Sequence, residues 1–326
     1  MQRVFTSIDE SKQDSKWKNL FNQRWPAYRA WLESNNSIYD SRAAHEALKS
    51  YMPEMVTMHE RLCHLVNADE AAFCFLSGFQ PPVYSSACSQ AVSARGAVQL
   101  VRNYDYHLDR FEGVLLKSAW NGKQVIASSD CLVGVLDGMN EEGLTLSLTF
   151  GGRHVVGFGF GLPFILRYVL EFCSEVHEAV EVLGRVPSHM SYNVTLTDQT
   201  GIVRTIQVSP DRPLIITDAP YSTNHQGPIE WTEHGVFSDT GQRASHLDDL
   251  LARGLSGDSL VRAFMHPPLF KSNHSKGQGT LYTAVYKPTE GSMQLLWPNA
   301  SLNQSFESFS EVQIPITYQH SENSHA

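Results

Sequence analysis

The sequence reads SSACSQA over residues 85–91, and this stretch divides the chain into two parts of different character. Residues 1–75 predict helices, because apolar side chains recur there at helical spacing, and residues 78–86 predict a loop rich in proline and serine. Beyond the stretch, short β-rich segments alternate with turn signals. Cys88 therefore lies where a loop enters the first predicted strand, a position that can hold a thiol at the edge of a cleft.

The elements predicted after Cys88 are strands, two helices, strands, two helices and again strands. The first helix pair is predicted over residues 162–183 and the second over residues 242–263, and a late hairpin is predicted over residues 280–297. This order fits two sheets packed face to face, with a helical layer outside each sheet.

Composition and charge exclude several classes of protein. The chain has 326 residues, of which 42% are hydrophobic, so we expect a large buried core. A formal net charge of −9 without a basic run disfavours nucleic acid as a partner. The most apolar stretch, residues 155–170, is interrupted by glycines, a proline and Arg167, and falls short of the roughly 20 residues of a membrane span. Residues 1–18 lack the apolar core of a secretory signal, so a cytoplasmic location is expected.

Cofactor and metal motifs are not found in the sequence. The five cysteines are widely spaced and form no Cys-x-x-Cys pair, which argues against a zinc site or a disulfide framework. No His-Glu-x-x-His pattern occurs, and the glycine-rich residues 157–161 lack the lysine of a phosphate-binding loop. There is no Gly-x-Ser-x-Gly elbow for a serine nucleophile. We therefore expect neither a cofactor nor a metal.

The surroundings of Cys88 suggest a particular use of its thiol. If the peptide bond before Cys88 were cut, its own α-amine could act as the base for the sulfur. Arg102 and Asp105 follow on the next predicted strand, where an arginine would favour the thiolate and an aspartate could anchor an α-ammonium group. Residues three apart on a regular strand face opposite sides, so a bend or bulge would be needed to bring both to one site. The alternatives are a buried strand cysteine and a surface ion pair.

Several motifs in order resemble a known family. Cys88 is followed 14 residues later by RNYDY at residues 102–106, which resembles the start of mature choloylglycine hydrolases and penicillin acyltransferases of the cysteine N-terminal-nucleophile superfamily. DGMNEEGL at residues 137–144 is similar to a turn and strand of the family, and residues 161–201 resemble its acyltransferase branch closely. The resemblance covers roughly residues 50–300. It implies an α+β fold, a four-layer αββα sandwich of two antiparallel sheets.

The resemblance also assigns roles to residues near the nucleophile. Asn224, within YSTNH, matches the asparagine whose side-chain amide holds the oxyanion in the family, although the same residue could simply belong to a turn. Thr149 stands where bile-salt hydrolases carry a second oxyanion asparagine. Arg243 matches a second functional arginine, with a solvated arginine at a helix start as the alternative. Asp105 would hold the α-ammonium group, and Arg102 would tune the thiol.

The position of Cys88 in the chain implies maturation by cleavage. The family exposes its cysteine at a new N-terminus, so the bond between Ala87 and Cys88 would have to be cut, whereas the acyltransferase branch usually cleaves after glycine. Residues 1–87 are then a helical pro-segment, residues 88–320 the hydrolase domain and residues 321–326 a disordered tail.

The activity implied is hydrolysis of linear amide C–N bonds, or acyl transfer from them, through a thioester. The expected partner is a small-molecule amide substrate. Neither nucleic acid nor a membrane is expected as a partner, and the protein could form a homo-oligomer. Two other hypotheses remain open: an uncleaved, non-catalytic binding protein of the same fold, which Thr149 and Ala87 favour, and a thiol enzyme that pairs Cys88 with a distant histidine.

Overall fold

A computed structural model describes residues 1–12, 16–274, 277 and 279–318 of the chain. The tail predicted at residues 321–326 lies outside the described residues. The strands are β1 (Gln2–Glu10), β2 (Ala87–Ser93), β3 (Gln99–Asp105), β4 (Val114–Ser118), β5 (Val125–Asp130), β6 (Gly134–Asn140), β7 (Thr145–Phe150), β8 (Tyr192–Thr197), β9 (Val203–Val208), β10 (Ile215–Thr217), β11 (Tyr221–Ser222), β12 (Thr280–Lys287), β13 (Ser292–Trp297), β14 (Ala300–Ser305) and β15 (Gln313–Thr317).

Helices separate the groups of strands. They are α1 (Lys16–Ser34), α2 (Ser41–Tyr51), α3 (Met55–Val66), α4 (Glu70–Ser77), α5 (Leu162–Phe172), α6 (Val176–Arg185), α7 (Thr232–Ser238), α8 (Thr240–Ala252) and α9 (Gly257–Phe264). Pro26 lies inside the continuous helix α1. The pairs α5–α6 and α8–α9 lie where the sequence predicted two helix pairs.

The strands form two sheets that pack face to face between helical layers. The larger sheet has the order β10-β9-β8-β7-β6-β5-β4-β1-β15, and the smaller has the order β11-β2-β3-β12-β13-β14. Strands β2 and β3 of the smaller sheet contact β7 of the larger one, α5 and α6 cover the larger sheet, and α8 and α9 cover the smaller one. This arrangement confirms the predicted α+β sandwich of four layers, αββα.

Strand β1 corrects two details of the prediction. Residues 1–75 were predicted to be helical, yet Gln2–Glu10 forms a strand that pairs with β4 on one side and β15 on the other. The pairing with β4 is parallel, so the larger sheet is not purely antiparallel. The segment carries few apolar residues, and its strand depends on partners more than 100 residues away, which a local pattern cannot reveal.

The residues before Cys88 share one apolar core with those after it. Trp17 is fully buried, packs edge-on against Trp120 at 6.2 Å and donates its indole N–H to the Leu132 carbonyl oxygen at 2.9 Å. Phe5 stacks edge-on against Trp297 at 4.7 Å. The segment before the cysteine is thus built into both the sheet and the core.

No helix in the described part of the chain is both long enough and apolar enough to cross a membrane.

Candidate active site

Cys88 is the second residue of β2 and is completely buried. In the antiparallel pair β2–β3, Cys88 lies opposite Tyr104 and Gln90 lies opposite Arg102. Because side chains alternate across a strand, Cys88, Gln90 and Arg102 share one face of the smaller sheet. Gln90 donates a hydrogen bond to Thr195 on the larger sheet at 2.8 Å, so this shared face is the one between the two sheets.

Arg102 reaches the sulfur across that face. Its Nη2 donates to the Cys88 Sγ at 3.3 Å. Its Nη1 donates to Asp137 Oδ2 at 2.5 Å, and Asp137 also accepts hydrogen bonds from Tyr282 at 2.7 Å and Tyr286 at 2.6 Å. The guanidinium is therefore held in one orientation, with a positive charge against the thiol.

Arg243 approaches Cys88 from the opposite face of the sheet. It projects from the first turn of α8, and its Nη1 donates to the Cys88 carbonyl oxygen at 2.6 Å and to Ser89 Oγ at 2.7 Å. Its Nη2 donates to Asn224 Oδ1 at 2.7 Å, and its Nη1 lies 3.5 Å from Asp105 Oδ2. Arg243 is fully buried, so it joins the nucleophile, the aspartate and the asparagine rather than standing in solvent.

The Asn224 side chain spans the peptide that precedes the thiol. Its Oδ1 accepts the backbone N–H of Cys88 at 2.9 Å, and its Nδ2 donates to the carbonyl oxygens of Phe150 at 3.1 Å and Ser86 at 3.4 Å. The donor from Arg243 on one side and the Phe150 carbonyl on the other define which atom of the amide is oxygen. Asn224 thus contacts the nitrogen of the bond predicted to be cut.

Asp105 is linked to the backbone of Cys88 through Arg243. It is paired with Ala87 in the sheet, and its carboxylate accepts from Thr280 Oγ1 at 2.7 Å and faces Arg243. The bulge that was considered for β3 is found instead on β12, where the register shifts between Thr280 and Tyr282. Arg102 and Asp105 therefore both serve the site without a bend, because one acts from each face of the sheet.

Thr149 supports the segment that carries Asn224. Its Oγ1 donates to the Thr223 carbonyl oxygen at 2.7 Å and accepts from Asn193 Nδ2 at 3.1 Å. These contacts use its hydroxyl to hold the chain just before Asn224. The structure thus brings Cys88, Arg102, Asp105, Asn224 and Arg243 into one hydrogen-bonded cluster and leaves Thr149 in the layer behind it.

The electrostatics of the cluster favour a neutral thiol in the uncut chain. Burial raises the pKa of the Cys88 thiol, and Asp105 raises that pKa further, whereas Arg102 and Arg243 lower it. Burial also raises the pKa of Asp105, against the lowering effect of Arg243. Burial makes the largest contribution to both pKa shifts. Opening the site to water would therefore lower the pKa of Cys88 and favour the thiolate.

Two residues of the site were not singled out in the sequence. Asp137, the first residue of the DGMNEEGL motif, is the buried partner of Arg102. Thr240 accepts the Asn224 backbone N–H at 2.7 Å and donates to Thr223 Oγ1 at 2.8 Å, which fixes the start of α8 against the Asn224 segment. The motif indicated the position of Asp137 but not its role.

Among the described residues, one group of three potential metal ligands lies close together, formed by Glu175, His177 and Glu178. It is exposed or half-buried and belongs to the start of α6, away from the Cys88 cluster.

A comparison with known protein families shows which family contains this cluster of residues. Residues 93–302 match the family "Acyl-coenzyme A:6-aminopenicillanic acid acyl-transferase". The chain belongs to this acyltransferase family. The match confirms the resemblance seen in the sequence and contains Arg102, Asp105, Thr149, Asn224 and Arg243, while Cys88 lies just before it. Membership places the chain among amide hydrolases and acyltransferases of the N-terminal-nucleophile type.

Solved structures of similar fold are distant in sequence. A mutant conjugated bile acid hydrolase from Clostridium perfringens is 13% identical, with a TM-score of 0.49, over 73% of this chain and 100% of that one. An N-acylethanolamine-hydrolyzing acid amidase ortholog from Caenorhabditis elegans is 15% identical, with a TM-score of 0.48, over 71% and 100%. Penicillin V acylase from Agrobacterium tumefaciens is 16% identical, with a TM-score of 0.47, over 68% and 86%. No curated protein matches the sequence.

Proposed function

We propose that this member of the acyltransferase family cuts itself between Ala87 and Cys88 and then acts on a small-molecule linear amide with Cys88 as an N-terminal nucleophile. The observation that carries the proposal is the double contact at Cys88. Arg102 Nη2 lies 3.3 Å from the sulfur, and Asn224 Oδ1 accepts from the backbone nitrogen at 2.9 Å. The attacking atom and the leaving nitrogen of the proposed cleavage are therefore both held in place.

In the proposed maturation, the Cys88 thiol attacks the carbonyl carbon of Ala87. The peptide C–N bond breaks as the C–S bond forms, and the thiol proton passes to the departing nitrogen, which becomes the α-amine of Cys88. Water then hydrolyses the thioester, which leaves a carboxylate on Ala87 and restores the thiol. Asn224 holds the departing nitrogen, and Arg243 fixes both Asn224 and the Cys88 carbonyl oxygen.

In the proposed mature enzyme, the α-amine takes the thiol proton, and the thiolate attacks the substrate carbonyl carbon. Asn224 Nδ2, which donates to the Ser86 carbonyl oxygen in the uncut chain, becomes available to the oxyanion once residues 86–87 withdraw. The amine proton goes to the leaving nitrogen, and water or an acceptor amine releases the acyl group from the sulfur. Asp105 acts through Arg243 and is a positioning residue in this scheme.

The intact mass of the purified protein tests the maturation directly. We expect two polypeptides, residues 1–87 and 88–326, in place of one chain of 36.5 kDa, with the new N-terminus at Cys88. A chain that stays whole after long incubation at neutral pH would reject the proposal and support the non-catalytic binding protein. A cut at any other bond would remove the case for Cys88 as the new N-terminus.

The charge of Arg102 should set the pH at which the mature thiol becomes reactive. Replacing Arg102 with glutamine alone would leave Asp137 as a buried, unpaired carboxylate, so we pair Arg102→Gln with Asp137→Asn. Because Arg102 lowers the pKa of Cys88, its loss should move the midpoint of Cys88 alkylation upward by about one pH unit or more. The rate of carbamidomethylation at Cys88, followed by peptide mass spectrometry against pH, measures this midpoint.

The single variant Asp137→Asn is the matched control for that experiment, because it keeps the guanidinium beside the sulfur. Its midpoint should not move upward. A midpoint in the double variant equal to that of the unaltered enzyme would mean that Arg102 does not act on the thiol.

A further inference from the structure

A cavity of about 480 Å³ lies between α1 and the segments that flank the nucleophile. Its volume falls within the range of roughly 300–1,000 Å³ that is usual for small-molecule sites. Five aromatic side chains line it: Tyr28, Trp31, Tyr84, Tyr106 and Phe111. We call it the α1 cavity.

The α1 cavity is connected to the nucleophile by a short series of side chains. The ring of Tyr106, in its wall, stacks on Tyr104 with centroids 5.6 Å apart. The Arg102 guanidinium carbon lies 4.8 Å from the centre of the Tyr104 ring, and Arg102 in turn contacts the Cys88 sulfur. The cavity is thus separated from the thiol by two tyrosine rings and the guanidinium.

The proposed cleavage would change the wall of the α1 cavity. Val83 and Tyr84 line it and lie on the strand-free segment that ends at Ser86, just before β2. Cutting after Ala87 leaves this segment tethered at one end only. Withdrawal of this segment, which would also separate Ala87 from Asp105 in the smaller sheet, could then open a path from the cavity towards Cys88.

Two buried carboxyl groups line the α1 cavity. Glu112 is 4% exposed and Asp130 is 7% exposed. Glu112 Oε1 accepts from the Tyr28 hydroxyl and from the Leu132 backbone N–H, each at 2.5 Å, whereas Glu112 Oε2 has no hydrogen-bond partner in the described part of the chain. Asp130 Oδ2 accepts a long contact of 3.7 Å from the Cys131 thiol, and a backbone hydrogen bond from Cys131 also lowers the pKa of Asp130.

These two carboxyl groups have no ion-pair partner in the described part of the chain, although Arg24 lowers the pKa of Glu112 and Arg102 lowers that of Asp130 from a longer distance. Among the described residues, neither forms an ion pair within 4.0 Å. Arg24 lines the cavity but donates to the Glu112 backbone carbonyl oxygen at 2.9 Å, and Arg110, which also lines it, is exposed to solvent. Burial and mutual repulsion with Glu112 raise the pKa of Asp130 to about 7. Such groups are costly to bury unless a partner pairs with them.

We propose that the α1 cavity receives a protonated amine, so that the substrate is an amide with an ammonium group remote from the scissile bond. Asp130 and the free oxygen of Glu112 would bind the ammonium, and the surrounding aromatic rings favour a cation as well. This inference deepens the proposed function and rests on it, because it assigns a substrate class to the same site.

Direct binding tests the cavity without requiring turnover. Hexylammonium, hexan-1-ol and hexanoate are titrated into the purified protein by calorimetry, since they share one alkyl chain and differ only in the end group. Hexylammonium should bind about 30-fold or more tightly than hexan-1-ol, and hexanoate should bind worst. Equal affinity for hexylammonium and hexan-1-ol would overturn the inference, whether or not the chain is an enzyme.

The variant Asp130→Asn should remove most of that preference, because it takes away one of the two carboxyl groups but keeps the shape of the side chain. The exposed Asp218→Asn, with the same chemical change at an 85% exposed side chain, is the control and should keep the preference. A preference for hexylammonium that survives in Asp130→Asn would place the ammonium elsewhere.

Turnover separates failure of this inference from failure of the proposed function. The 4-nitroanilides of 6-aminohexanoic, hexanoic and adipic acids place the charge in the acyl half, and hexanoyl amides of 1,5-diaminopentane and pentylamine place it in the amine half. Within either the acyl series or the amine series, the compound that carries the ammonium group should have a kcat/KM about 30-fold higher than the others of that series. Cys88-dependent turnover without any preference for the ammonium compounds would contradict this inference but not the proposed function.

Discussion

Cys88→Ala should yield a single uncut chain that hydrolyses no amide. The substitution removes the sulfur that attacks the Ala87 carbonyl, so maturation has no nucleophile, and it removes the same atom from the substrate reaction. The fold should persist, because the small alanine side chain fits the buried position on β2. Intact mass and amide hydrolysis, measured on the same preparation, report the two losses together.

Cys173→Ser is the matched control, since Cys173 is also buried but lies at the end of α5. Burial raises the pKa of Cys173 to about 12, so that thiol is inert at neutral pH. This variant should be cut and active. Cleavage of Cys88→Ala, or equal loss of activity in both variants with the fold retained, would reject Cys88 as the nucleophile.

Asn224→Ala should lower the turnover rate of the mature enzyme by roughly 100- to 1,000-fold, the usual cost of one oxyanion donor. Loss of the side chain also frees the Cys88 nitrogen and one donor of Arg243, so cleavage should slow as well. Substrate affinity should change much less than kcat. Steady-state kcat and KM on the mature protein measure the split.

The two effects of Asn224→Ala are separated by bypassing maturation. Residues 1–87 are co-expressed with a second chain that begins Met-Cys88, from which the initiator methionine is removed. Asn303→Ala, an exposed asparagine on β14, serves as the control and should leave kcat unchanged. An unaltered kcat in the bypassed Asn224→Ala enzyme would remove the oxyanion role.

The sequence predicted which residues meet at the site better than it predicted their contacts. Arg102, Asn224 and Arg243 were singled out by motif, and the structure brings all three to Cys88. Asp105 was predicted to hold the α-ammonium group that cleavage would create, and this stays a prediction; the contact between the uncut Cys88 N–H and Asn224 Oδ1 was not predicted. Motif and spacing place a residue on an element, whereas a hydrogen-bond partner depends on side-chain directions set by several elements at once.

The fold was predictable where patterns are local. The helix pairs α5–α6 and α8–α9 carry an apolar stripe or a helix-start signal, and both were predicted at nearly their observed bounds. No strand was predicted at β1, β4, β11, β14 or β15. β1 pairs with β4 and β15, which lie far along the chain, and the edge strands β14 and β15 are partly exposed.

The place of β1 in the larger sheet gives the proposed cleavage an unusual outcome. β1 is hydrogen-bonded on both sides, to β4 and to β15, and the helices that follow it lie in the common core. Once the chain is cut, residues 1–87 and 88–326 would be two molecules that share one sheet. Neither can leave without opening a row of strand pairs on each side of β1. Exchange of an isotope-labelled N-terminal fragment into the cut protein should then proceed no faster than global unfolding, so dissociation and unfolding become a single event.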